Sequence, residues 1–77
     1  MEMFNMKVLI VLKGNTLYKT YVFSADITEE NLEIEVARKL VKHGIERDSE
    51  SLLTLMEDGY LSINGYEFYL SETVKGA

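Results

Sequence analysis

The chain has one histidine, no cysteine and thirteen carboxylates, so any chemistry must come from a short menu. His43 could act as a general base, or as a metal ligand together with Glu46 and Asp48. A nucleophilic triad needs that base held against a nucleophile, and zinc needs three or four ligands, usually His or Cys. Neither set is visible around His43, whose place beside Gly44 already suits it as a cationic helix end. Carboxylate pairs occur at Glu29/Glu30, Asp48/Glu50 and Glu57/Asp58. A glycosidase-type pair must flank a cleft at about 5–10 Å separation, whereas these acids stand where helix starts and turns place acids anyway. Gly14, Gly44, Gly59 and Gly65 are isolated and match neither phosphate-cradling nor dinucleotide-binding glycine spacing. The expectation is a non-enzymatic protein with no catalytic set, no metal and no cofactor.

The tyrosines make a better case for binding. The run YLSINGYEFYL places Asn64-Gly65 between alternating segments, the strongest short-range hairpin signal. A two-residue loop pairs Ile63 with Tyr66, Ser62 with Glu67, Leu61 with Phe68 and Tyr60 with Tyr69. Leu61, Ile63, Tyr66, Phe68 and Leu70 then face a core, while Tyr60, Ser62, Glu67 and Tyr69 face outward. Outward tyrosines suit a protein interface. They also stack bases in single-strand binders, but those need a basic groove, and Glu67 and its acidic surroundings argue against one. Ordinary cross-strand pairing explains the tyrosines about equally well.

Residues 28–45 predict the helix that such a hairpin would pack against. Thr28 is a suitable N-cap, Glu29 and Glu30 meet the positive dipole end, and Ile27 and Leu32 have staple spacing. Gly44 and Ile45 have Schellman spacing, and Glu35/Lys39 form an i,i+4 pair. The apolar arc, including Ile34 and Val41, spans roughly 220° against the ~100° needed to cover one sheet. The helix is therefore expected to touch something besides a sheet, whether a second helix, a long loop or another chain. A short second helix over 50–57, capped by Asp48 or Ser49, offers Leu52, Leu55 and Met56 for that role.

Upstream, residues 6–13 are apolar on both alternations and predict a central strand covered on both faces. A turn at 13–16 leads to a second strand over 17–24. Strict alternation there puts Leu17, Lys19, Tyr21 and Phe23 on one face and Tyr18, Thr20 and Val22 on the other. The reading is α+β, order β-β-α-(α)-β-β, with a four-stranded, mainly antiparallel sheet. A single domain over 1–77 is expected, frayed at 1–5 and 72–77.

Residues 46–72, a short helix running into DGYLSINGYEFYLSE, resemble the end of a winged-helix domain, where a recognition helix precedes a two-stranded wing. That resemblance implies a helix in the DNA major groove. Here the helix offers Asp48, Glu50 and Glu57 and no base, so it lacks groove-reading residues, and only the wing geometry is retained. The hairpin-then-helix start resembles a β-grasp in outline.

Net charge is −5. Residues 1–25 carry a net +2 and the remainder −7, which removes the main source of non-specific nucleic-acid affinity. There is no apolar run of membrane-spanning length, and the run over 8–12, with Glu2 ahead of it, is too short for a leader core. With no cysteine, a cytoplasmic setting is the default expectation. The expected function is a small acidic protein-binding module, a regulator or inhibitor of the kind phages and mobile elements encode, acting by surface occupancy and able to form a homodimer. The expected partner-binding residues are Tyr60, Glu67, Tyr69, Ile34 and Val41. The alternatives are single-stranded nucleic-acid binding through the tyrosine face and charge mimicry of nucleic acid, with no role for a membrane.

Overall fold

The computed structural model describes residues 3–47 and 50–76, with side chains for 6–47 and 50–72. It is an α+β fold. The elements run β1 (Met3–Lys13), β2 (Thr16–Phe23), α1 (Glu29–Lys42), α2 (Glu50–Asp58), β3 (Tyr60–Ile63) and β4 (Tyr66–Gly76). The four strands are ordered β2-β1-β4-β3 and every pair is antiparallel.

Helix α1 starts and stops where local chemistry dictates. Thr28 Oγ1 accepts from the Asn31 amide at 3.2 Å, satisfying one of the first-turn donors. At the other end the Ile45 amide donates to Leu40 O at 3.0 Å and the Gly44 amide to Val41 O at 3.1 Å. This is the Schellman pattern, and Gly44 takes the φ of +82° that it requires. Glu35 pairs with Arg38 at 3.3 Å and not with Lys39, which lies over the Tyr21 ring at 5.1 Å. The proposed caps of α2, Asp48 and Ser49, lie outside the described residues.

The core is a sandwich of one sheet face and two helices. Leu32, Val36, Ala37 and Leu40 of α1 and Leu52 and Leu55 of α2 meet Leu9, Val11, Phe23, Leu61 and Phe68 of the sheet. Phe68, Leu9, Leu40 and Leu55 are fully buried. At about 25 cal/mol per Å² of apolar surface these contacts dominate stability. The hairpin β3–β4 has the predicted register, with Asn64 and Gly65 both at positive φ, as a type I′ turn demands.

Three expectations are corrected. First, β1 is central as predicted, but only one of its faces is covered by helices. β2 and β3 are the two sheet edges, so the chain between them crosses the sheet once, and both helices lie on that single crossing. Second, strict alternation in β2 fails. Val11 pairs with Lys19 but Leu12 pairs with Leu17, leaving Tyr18 as the extra residue of a β-bulge. Leu17 thereby joins Leu12 on the uncovered face, and Tyr18 turns to the helix side. Third, of the ends expected to fray, residues 3–5 and 72–76 are paired strand, with Asn5 opposite Val74 and Met3 opposite Gly76, while residues 1, 2 and 77 lie outside the described residues. The apolar pairs Leu9–Leu70 and Val11–Phe68 set the register, and the ladder continues outward from them. Among the described residues no helix is long and apolar enough to cross a membrane.

Candidate functional site

The predicted tyrosine pair exists. Tyr60 sits opposite Tyr69, with ring centroids 4.9 Å apart and planes tilted by 52°. The Tyr60 hydroxyl donates to Glu67 Oε1 at 3.2 Å. Partial desolvation raises the Tyr69 phenol above its ordinary pKa, and the charge of Glu67 and the neighbouring Tyr60 add to the effect. All three residues lie on the sheet face that no helix covers.

That face is far more apolar than the tyrosine pair alone suggested. Opposite residues in antiparallel strands share a face, so β1 contributes Val8, Ile10 and Leu12, and β2 contributes Leu17, Thr20 and Val22. From β4 and β3 come Glu67, Tyr69, Ser71, Tyr60 and Ser62. Leu17 is 61% exposed and Val22 57%. Val8 is buried yet stands apart from the helix-side core. Among the described side chains Glu67 is the one charge on this face.

Ile34 and Val41 are not part of this surface. They remain 42% and 52% exposed on the outer side of α1, across the molecule from the tyrosines. Leu52 is buried because α2 does fill part of the arc beside α1. Ile34, Ala37 and Leu52 line an open groove of about 290 Å³ rimmed by Glu30, Glu33 and Arg47. The five predicted residues thus divide into two separate surfaces.

A cluster that sequence reasoning missed surrounds His43. Its ring lies 5.0 Å from Tyr66, 5.6 Å from Phe68, 5.8 Å from Tyr18 and 6.3 Å from Tyr21, all in edge-to-face arrangements. Tyr18 and Tyr66 also meet edge to face at 5.8 Å. The Tyr21 hydroxyl is 3.3 Å from His43 Nε2. Desolvation lowers the His43 pKa below the ordinary histidine value, and the charges of Lys19 and Lys42 push it the same way. Burial, with a smaller contribution from Tyr18, raises the Tyr21 phenol. Lys13 Nζ lies 5.5 Å from the Tyr66 ring and 5.9 Å from Tyr18, and Lys19 Nζ lies 5.4 Å from Tyr21, all within cation–π range. The available signal was the helix-end position of His43, but the bulge that brings Tyr18 to it has no sequence marker.

Among the described residues no three His, Cys, Asp or Glu side chains converge as a metal-ligand group, and no polar or charged side chain is fully buried. Asp48, one of the ligands considered with His43, lies outside the described residues. No family model, curated protein or solved structure matches this chain.

Proposed function

We propose that the chain is a small, non-enzymatic protein-binding module that acts by surface occupancy through its uncovered sheet face, and that the best-fitting occupant is the same face of a second copy. The observation that carries this is the apolar strip across all four strands, from Leu17 and Val22 through Ile10 and Leu12 to the Tyr60–Tyr69 pair, with Glu67 as its charge among the described side chains. Sheets pack face to face at about 10 Å when their inner side chains are apolar. A second copy brings the matching apolar, nearly uncharged surface, and a two-fold axis lets one patch serve both subunits. Patches of this size on a lone monomer mark interaction sites.

The area decides the strength. Four strands at about 4.8 Å spacing and eight residues at about 3.3 Å rise give roughly 500 Å² of plane per copy. Two copies then reach about 1,000 Å², the lower margin for a specific interface, so self-association in the micromolar range is expected. The Tyr60 hydroxyl with Glu67 at the β3 edge supplies the polar rim that interfaces carry.

Sedimentation equilibrium across about 1 to 200 µM tests the reading, since that range brackets a micromolar dissociation constant. The expected result is a concentration-dependent rise from the 8.8 kDa monomer to the dimer. Val22→Lys on the uncovered face should hold the chain monomeric, while Ile34→Lys on the far side of α1 should leave association intact. A monomer at every concentration overturns the second copy as occupant, and equal sensitivity to both substitutions overturns the choice of face.

A further inference from the structure

The end of the molecule where α1 stops over the two hairpin turns carries a set of groups unrelated to the uncovered face. We infer that this surface binds single-stranded nucleic acid, with lysines on its phosphates and the exposed ring of Tyr18 under a base.

Charge distribution is the first support. The chain is acidic overall, yet four of its six lysines, Lys13, Lys19, Lys39 and Lys42, gather around one ring cluster. Like charges brought together repel, and solubility does not call for them in a chain of net charge −5. Glu29 and Glu30 begin α1 and stand about 20 Å of helix axis from its last lysine. That exceeds two screening lengths at physiological salt, about 8 Å each. Glu35 is engaged by Arg38, and the four lysines outnumber Glu46, the acid that follows the helix end in sequence. Net charge argues against a nucleic-acid partner; its placement does not.

The rings supply the second support. Tyr18 is 54% exposed, and the bulge directs it to the helix side. Edge-to-face contacts with His43 and Tyr66 hold its plane, so stacking would cost little further ordering of the side chain. A basic groove with planted aromatic rings is what sequence-tolerant single-strand binding requires. The lysines flank the rings on two sides, Lys13 at Tyr18 and Tyr66 and Lys19 with Lys39 at Tyr21. Cations on both sides of a stacked base fit a continuing strand better than a free nucleotide. The opposite tyrosine pair has Glu67 beside it and, among the described side chains, no lysine, and so lacks this combination.

The test is fluorescence anisotropy with labelled oligothymidylate and oligouridylate of about twelve nucleotides, a length within known single-strand site sizes. Binding should appear at about 20 mM salt, with log K falling against log salt at a slope near −2 to −3, about 0.7 per phosphate engaged. Tyr18→Ala should weaken binding about tenfold while Tyr18→Phe preserves it, because stacking needs the ring and not the hydroxyl. Lys13→Gln combined with Lys42→Gln should flatten the slope by about 1.4. Ile34→Gln, exposed on the outer side of α1 and outside both surfaces, should leave binding unchanged, and circular dichroism on each variant separates lost binding from lost fold. No anisotropy change at low salt with about 100 µM protein overturns the proposal, since that condition is the most permissive. So does a Tyr18→Ala protein that folds and binds as wild type. A mononucleotide competing as well as the oligomer overturns the strand in favour of a free nucleotide.

Discussion

At the residue scale His43 shows how little a side chain's role depends on its type. Its position in sequence suggests a solvated cation at the end of a helix dipole, which would raise its pKa. Instead the rings of Tyr18, Tyr66 and Phe68 desolvate it and Lys19 and Lys42 repel its proton, so its pKa falls. The unfolded chain therefore binds the proton more readily than the folded one near the ordinary histidine value of about 6.5. The stabilisation from neutral His43 is complete above that value and is lost as pH falls below it. The urea midpoint should accordingly drop between about pH 7.5 and pH 5.5, a window above the usual carboxylate range. His43→Phe, which keeps a ring and removes the titration, should flatten that drop; an unchanged pH profile would refute the assignment.

At the element scale, what is local was readable. The start of α1 needs only Thr28 and the amide of Asn31, and its end needs only Gly44 and the carbonyls of Leu40 and Val41. Thr28→Ala should cost about 1 kcal/mol in urea denaturation, with Thr28→Ser recovering most of it. The hairpin at Asn64-Gly65 was equally legible, because its register follows from turn length. The bulge in β2 was not. No glycine or proline marks it, and the choice to place Tyr18 as the extra residue is made by the facing strand and by the rings it meets. The Glu35–Lys39 pair failed for a similar reason, since the sheet offers Lys39 an aromatic ring that a lone helix does not have.

At the scale of the whole molecule the arrangement is asymmetric. Both helices cover one face of the sheet, and lysines collect at the end opposite the acidic start of α1. β1 and β4 are the inner strands, paired on both sides, while β2 and β3 are edges. Amide hydrogen exchange should therefore be slowest at residues 8–11 of β1 and 68–70 of β4, and markedly faster in β3. Comparable protection in β3 would mean that another chain pairs with that edge.

The sequence alone determined the element types, their order, the ends of α1, the register of the second hairpin and the helix-side identity of Leu61 and Phe68, because each follows from neighbours a few positions apart. It also carried the surplus: residues 6–13 are apolar on both alternations, and α1 has more apolar arc than one sheet needs. Only the tertiary structure decided where that surplus stays exposed. A single crossing between the sheet edges can bring helices to one face and not the other, so Ile10 and Leu12 of β1 line a surface with Leu17 and Val22 that periodicity would have buried.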